Sequence, residues 1–384
     1  MIRISDKAKC VGCHACYSSC PTGCLLMKED KEGFLYPSVD EERCVNCGKC
    51  ERVCPVLKRP VFHDFDEACF AAYSRNDEIR SNSSSGGAFS VFAEEVINSG
   101  GVVFGAAFDS EFQVHHVQVT STEELVGIRG SKYVQSRIED TYRAARAYLE
   151  SGRKVYFSGT PCQIDGLNNY LSHEYDNLIT QDIICHGVPA PFVWEKYLEQ
   201  IKANLQSDIK NITFRDKTLG WRRYCLKIDG ENGMREMSNY LENPMMRAYL
   251  RDVCLRSSCY KCPSKGVKRS SDITLADFWN VSDYISGFDD DKGIDLIVCH
   301  SEKGCKLLET VSKNLICRKV DARAASENIP MNSSPRMPQS RNEFIHSLTV
   351  ESFSDAVDKY CTIPLAERIQ TKVKLILKGI SRRK

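Results

Sequence analysis

The sequence predicts two unlike parts in one chain: a small cysteine-bound α+β module at the N-terminus, then a larger mixed α/β domain. Three observations predict this. Nine of the 20 cysteines fall within the first 54 of 384 residues. From Cys69 onward, short apolar runs alternate with segments of helical period. Ser- and Gly-rich turns stand where several of those runs give way to helices. A secreted disulfide scaffold would be short and cysteine-dense throughout, and this chain is neither.

Composition narrows the function. The opening MIRISDKAKC has no apolar signal region, and no run of 18 apolar residues predicts a membrane span. A hydrophobic share of 42% and a mean hydropathy of −0.36 belong to a soluble globular protein. The formal charge of +1 excludes nucleic-acid binding driven by net charge. The expectation is a reducing cytoplasm, where clustered cysteines bind metal or do redox work.

The N-terminal module comes first. Residues 10–21 read CVGCHACYSSCP and residues 44–55 read CVNCGKCERVCP. Both fit C-x2-C-x2-C-x3-C-P, the spacing of bacterial ferredoxins with 4Fe-4S clusters. Three close thiolates cap three irons of one cube, and the fourth cysteine, held by the proline after it, serves the other cube. Cys10, Cys13, Cys16 and Cys54 are therefore the expected ligands of one cluster. Cys44, Cys47, Cys50 and Cys20 are those of the second. A zinc site would use two separated C-x2-C pairs, not three crowded cysteines twice over. Cys24 is left over as a buried thiol. The bacterial ferredoxin-like module spans 1–60, and residues 61–68 form a polar linker.

In the larger domain, CFAAYS (69–74) reads as a strand, SNSSSGGAF (81–89) as a loop, and the residues from Phe89 to Ile97 as a helix. GVVFGAAF (101–108) and QVHHVQVT (113–120) are strands; the adjacent His115 and His116 face opposite sides, which argues against a shared metal. A helix (137–152), the strand KVYFS, the turn GTPCQ, a helix (163–172) and the strand NLITQDIIC follow. These βαβ-like stretches place 69–175 in an α/β unit. Residues 176–325 continue it. There a helix spans 192–205, strands lie near 210–215 and 224–229, and a helix lies near 243–253. DITLADFW and DLIVC are strands, and 302–311 is a helix. Residues 326–342 form a linker, and the remainder to 384 is helical and finishes basic. KVKLILKGISRRK (372–384) is a basic amphipathic candidate for peripheral membrane or partner contact, though an ordinary solubilising terminus is the simpler reading.

Two loops, Ser85-Gly86-Gly87 and Gly159-Thr160-Pro161, stand at helix starts. There backbone N–H groups and a positive helix end suit an anionic phosphate. Gly130-Ser131-Lys132-Tyr133 adds a cation, hydroxyls and an aromatic ring. Each loop alone is an ordinary turn; the three together favour a dinucleotide or flavin site. Lys132, Tyr133 and His186 are candidates for flavin or substrate contacts. Cys162, Cys185, Cys259 and Cys262 offer four thiolates from three places, with Cys254 a competitor, which suits a cluster or a zinc ion. Cys69, Cys225, Cys299, Cys305, Cys317 and Cys361 stand singly and read as packing thiols. Lys261, Lys265, Lys268 and Arg269 either favour nearby thiolates or line a solvated loop.

With these motifs, the chain resembles the coenzyme F420 hydrogenase/dehydrogenase beta-subunit family, in its bacterial branch with a fused two-cluster ferredoxin domain. The stretches that carry the resemblance are SSSGGAF, RGSKYVQS, FSGTPCQIDGL, DIICHGVP, FRDKTLGW and RSSCYKCPSKGVKRSSDITLADFW, beside the two cluster motifs. The resemblance implies a flavin-binding domain with FAD or FMN on the Ser-Gly-Gly, Gly-Ser-Lys-Tyr and Gly-Thr-Pro loops. It also implies a third 4Fe-4S cluster on Cys162, Cys185, Cys259 and Cys262. The family usually carries glycine where this chain has Ala276 and Asn280. The expected function is an iron–sulfur flavoprotein oxidoreductase exchanging electrons with a ferredoxin-type or other redox protein and acting on a small molecule. Members of this branch resemble genes of surface-polysaccharide loci. The alternatives are an electron-transfer subunit without its own substrate, and a structural zinc protein.

Overall fold

The computed structural model describes residues 1–362. The basic stretch 372–384 lies outside the described residues. Near the N-terminus, β1 (Leu25–Glu29) and β2 (Leu35–Val39) form an antiparallel hairpin, with Leu25 opposite Val39. Two short helices, Ala15–Ser19 and Lys49–Arg52, each follow two of the three crowded cysteines and contain the third. Each is preceded by a left-handed residue, His14 (φ 60°) or Gly48 (φ 69°), which turns the cysteine loop into the helix.

The large domain is built on an eight-stranded mixed sheet. Its strands are β3 (Ala68–Ser74), β4 (Val102–Phe108), β5 (Val114–Val119), β6 (Val155–Gly159) and β7 (Leu178–Ile183). A separate antiparallel sheet of β8 (Ile209–Asp216), β9 (Cys225–Gly230) and β10 (Arg235–Asn239) interrupts the count. The large sheet resumes with β11 (Ile273–Asp277), β12 (Asp295–Cys299) and β13 (Leu315–Val320), in the order β13-β3-β12-β11-β7-β6-β4-β5. β4, β6, β7 and β11 run parallel, and the other neighbours are antiparallel. The parallel centre reads as near-continuous apolar runs because helices cover both faces. β12 (DLIVC) is buried at every position.

Helices Ala88–Asn98 and Glu302–Thr310 cover one face; Thr141–Glu150 and Pro161–Leu171 cover the other. Pro161 and Pro191 open their helices at the first position, where the missing N–H costs nothing. Helix Pro191–Leu205 buries Trp194, Tyr197 and Ile201 against the three-stranded sheet. The stretch from 326 is a docked strap, not a free linker. Met331 and Phe344 are fully buried, and Arg341 pairs with Glu32 of the N-terminal hairpin at 2.6 Å. Hairpin β1–β2 and strands β10 and β13 were not expected: their short, polar or mixed segments carry no clear alternation. Strands β10 and β13 form where β9 and β3 present an open edge, whereas β1 and β2 pair only with each other.

Candidate functional site

A cavity of about 280 Å³ opens at the carboxyl ends of β6, β7 and β11, flanked by β4. Ligands of open α/β sheets sit at this edge, because the loops leaving parallel strands converge there. The three expected loops meet in it. Ser85 and Gly87, then Ser131, Lys132 and Tyr133, then Gly159 and Thr160 all line it, and so does His186. Gly86 and Pro161 do not. Gly86 is packed behind the wall, where a Cβ would come within 2.6 Å of the Ala72 carbonyl. Pro161 faces the neighbouring thiol-lined cavity.

The electrostatics differ from the expected helix-end phosphate site. At the start of helix Ala88–Asn98, the Asp295 carboxylate already accepts from the N–H groups of Gly86 (3.0 Å) and Ala88 (2.7 Å). At the start of helix Pro161–Leu171, the Thr160 N–H donates to Gln163 Oε1 at 2.9 Å. At the first helix those donors are spent within the chain, and a carboxylate stands where an anion would have to approach. The reading of that helix end as a phosphate cradle is corrected on that ground. Lys132 supplies the positive charge instead. Its ammonium donates to the carbonyls of Arg129 (3.1 Å) and Gly130 (3.3 Å), and burial lowers its pKa to about 8.

Three wall residues and one that braces them from behind were missed in the sequence. His116 is buried; its Nε2–H donates to the Ser158 carbonyl at 2.9 Å and its Nδ1 accepts from Ser136 Oγ. Burial pushes its pKa down to about 4, so the ring is neutral. The predicted alternation held for the pair: His115 turns outward to Asp109 (3.0 Å) and Glu139 (3.2 Å). What alternation lacked was which face meets a cavity. The other three are Asp295, Asp277 and its partner Arg215. Arg215 grips Asp277 through both terminal nitrogens, at 2.8 and 2.9 Å, and donates to Tyr133 Oη at 3.1 Å. Trp221 Nε1–H also donates to Asp277, at 3.0 Å. Lys217 ties its ammonium to the Ser85 carbonyl at 2.8 Å. The FRDKTLGW stretch thus braces two walls of the cavity.

Twelve cysteines fall into three sets of four, each lining its own small cavity. Cys10, Cys13, Cys16 and Cys54 line one. Cys20, Cys44, Cys47 and Cys50 line another, joined by Cys24, whose Sγ lies 3.4 Å from that of Cys20. Cys162, Cys185, Cys259 and Cys262 line the third, of about 30 Å³. Among the described residues, no three His, Cys, Asp or Glu side chains converge as they do around a single ion. Thr160, Cys185 and His186 are shared between the third thiol cavity and the large one, and Val11 is shared between the first and the third.

Burial raises the thiols of the third set, Cys185 and Cys259 to about 12, so a bound cation is needed to hold them as thiolates. The basic stretch divides. Lys265 turns in to the Cys185 carbonyl (2.5 Å) and Arg269 is buried, whereas Lys261 and Lys268 are exposed. Cys254 is fully buried beside Cys361, in the core that Cys259 packs against, and lines none of these cavities. Cys299 does not stand singly, since its thiol hydrogen-bonds that of Cys305. His186 donates or accepts through Nε2 with Asp252 at 2.6 Å.

Residues 69–141 match the family model for the N-terminal part of the coenzyme F420 hydrogenase/dehydrogenase beta subunit, and residues 152–323 match the model for its C terminus. Residues 9–57 match a 4Fe-4S dicluster domain. No curated protein matches the chain. Among solved structures it is similar to a chain of the F420-reducing NiFe hydrogenase complex from Methanosarcina barkeri. The identity is 13%, with 76% of this chain and 91% of that chain covered, at a TM-score of 0.44.

Proposed function

Because the chain belongs to the coenzyme F420 hydrogenase/dehydrogenase beta-subunit family and carries a 4Fe-4S dicluster domain, we propose that it is an iron–sulfur flavoprotein oxidoreductase. In this reading residues 1–60 are the electron-entry module. Residues 69–175 and 176–325 together hold the flavin and a third cluster, and 326–384 begin with the docked strap. Bound in these cavities, the clusters supply one-electron steps and the flavin, FAD or FMN, the two-electron hydride step.

The donor sets fit those groups. Cys10, Cys13, Cys16 and Cys54 would hold the first cluster, and Cys20, Cys44, Cys47 and Cys50 the second. Cys162, Cys185, Cys259 and Cys262 would hold the third. Ser85, Gly87, Ser131, Lys132, Tyr133, Gly159 and Thr160 would contact the flavin. The single observation that carries the reading is the shared wall: the third thiol cavity and the large cavity have Thr160, Cys185 and His186 in common. Electron carriers placed in them would be neighbours without a gap of solvent.

The chain's own residues set the conditions in the large cavity. Lys132 stays cationic at neutral pH and attracts an anionic group. His116, neutral and bonded on both nitrogens, fixes the wall and does not relay a proton. His186 stands at the boundary of the two cavities with Asp252 behind it, placed to contact the flavin or the substrate. Arg215 grips the Asp277 side chain through both terminal nitrogens. In the second thiol set, Cys47 is exposed, so an external redox protein would dock on that side. Thiolate ligands of this kind persist in a reducing cytoplasm. Among the described residues no helix is long and apolar enough to cross a membrane.

A second reading, an electron-transfer subunit with no substrate of its own, has one observation in its favour. A volume of about 280 Å³ lies at the lower edge of ligand pockets and leaves little room beside a flavin ring. Heating the anaerobically purified protein tests the flavin: a yellow, fluorescent isoalloxazine should be released. Turnover of a small acceptor by the protein alone then separates the two readings.

A further inference from the structure

We infer that Arg256 is the counter-charge of the cluster held by Cys10, Cys13, Cys16 and Cys54, holding its potential up and linking its loop to the third thiol set; this rests on the cluster reading above. Arg256 is one of the largest fully buried side chains, at 0% exposure. A buried guanidinium is ordinarily paired with a carboxylate, since an unpaired ion costs several kcal/mol. Among the described residues none is within ion-pair distance of Arg256. Its contacts are instead neutral acceptors and one thiol. Nε donates to the Cys10 carbonyl (2.8 Å), Nη1 to Gln135 Oε1 (2.9 Å) and Nη2 to the Leu35 carbonyl (3.0 Å). Nη2 also reaches Cys10 Sγ at 3.6 Å. The plane lies over the Tyr36 and Phe34 rings, at 4.3 and 5.0 Å, which shut out water.

The loop is shaped around this group. Gly12, between Cys10 and Cys13, has φ +69°, and a Cβ there would meet the Gln135 amide at 2.7 Å and the Arg256 guanidinium at 2.9 Å. Only glycine admits both the left-handed turn and the close approach. Gln135 Nε2–H closes the clamp on the Val11 carbonyl at 3.1 Å. A buried cation with no carboxylate, aimed at a cysteine loop, needs its negative charge from what the cysteines hold. A cube on four thiolates is anionic and gains one more negative charge on reduction, so a fixed cation beside it favours the reduced form. The same residue reaches the third set: the Arg256 carbonyl accepts the Cys259 N–H at 2.8 Å. Its side chain and backbone therefore join Cys10 to Cys259 through two hydrogen bonds.

The test is a redox titration followed by electron paramagnetic resonance on the full, anaerobically purified chain, with iron counted in every sample. Arg256→Gln removes the charge. Gln135→Glu keeps a side chain of the same shape and sets a carboxylate against the guanidinium, so it carries the test if Arg256→Gln fails to fold. Both should shift one reduction equilibrium toward the oxidised form by at least tenfold, about 59 mV for a one-electron couple. The Cys44 set, which Arg256 does not touch, should stay in place, and Arg256→Lys should recover most of the shift. Full iron with every potential unmoved in both charge variants overturns the role of Arg256. A parent protein without iron overturns the cluster reading itself.

Discussion

Asp277 and Asp295 stand directly opposite each other on β11 and β12, two carboxylates on neighbouring antiparallel strands at the wall of one cavity. Like charges so placed repel. The chain resolves this unequally. Asp277 has the Arg215 fork, while Asp295 has no such cation fork, only backbone N–H groups and the Ser85 hydroxyl, and is pushed up to about 6, by burial first and by Asp277 in addition. Removing the Asp277 charge with Asn strands a buried guanidinium, and the unfolding free energy should fall by about 3–5 kcal/mol, read by denaturant titration of the holoprotein.

Asp295 has the opposite linkage from an ordinary salt-bridged carboxylate. Its folded pKa lies above the unfolded value, so the folded state binds the proton more tightly. Stability is present at low pH and falls as pH rises from about 4 to about 6. Asp295→Asn cannot ionise. The stability of the parent relative to that variant should therefore drop by about 1–2 kcal/mol between pH 5 and pH 7.5. A constant difference across that range would show that Asp295 does not titrate there.

Lys132 gives the large cavity a pH-dependent affinity for anions. Its lowered pKa of about 8 means the charge is present below that pH and lost above it. Binding of FMN to flavin-depleted protein, followed by flavin fluorescence, should weaken about tenfold from pH 7 to pH 9.5, on the scale of one lost charge contact. Lys132→Gln should bind weakly throughout and show a flat profile.

The four thiols of the third set and the excluded Cys254 make a matched pair of tests. Cys259→Ser should lower iron by about one third, with the N-terminal clusters spared. Cys254→Ser should leave the iron count where it was, because Cys254 does not line the cavity of the four thiols. Equal losses in both would reassign the ligand.

The N-terminal module meets the large domain through a contact too close for a methyl group. A Cβ on Gly166, in helix Pro161–Leu171, would lie 2.9 Å from both Cβ and Sγ of Cys13. Gly166→Ala should destabilise the holoprotein by about 1–3 kcal/mol through overpacking. The loss should appear as a lower unfolding midpoint, accompanied by faster iron release from the Cys13 set than from the Cys44 set.

Local spacing made the N-terminal cysteines legible, because C-x2-C-x2-C-x3-C-P holds three thiols of one set in a single loop and sends the fourth to the other set. Cys162 and Cys185 were legible for a related reason: each follows a strand that ends at the same edge of the sheet. The three loops converged as their positions after strands implied. The first of them was misread as a phosphate-binding helix end, since the residue that occupies it, Asp295, lies over 200 residues away. Arg215, Asp277, His116 and Arg256 were missed on the same account. Each is an ordinary polar residue in the sequence and acquires its role from a partner on another strand or in the other module. Strands β10 and β13 escaped because edge strands need no strong alternation.

Iron and flavin stoichiometry in one anaerobic preparation tests the central claim most directly. Three cubes beside a flavin predict about twelve irons per chain and one flavin. About eight irons without flavin, or zinc in place of iron, would contradict the account.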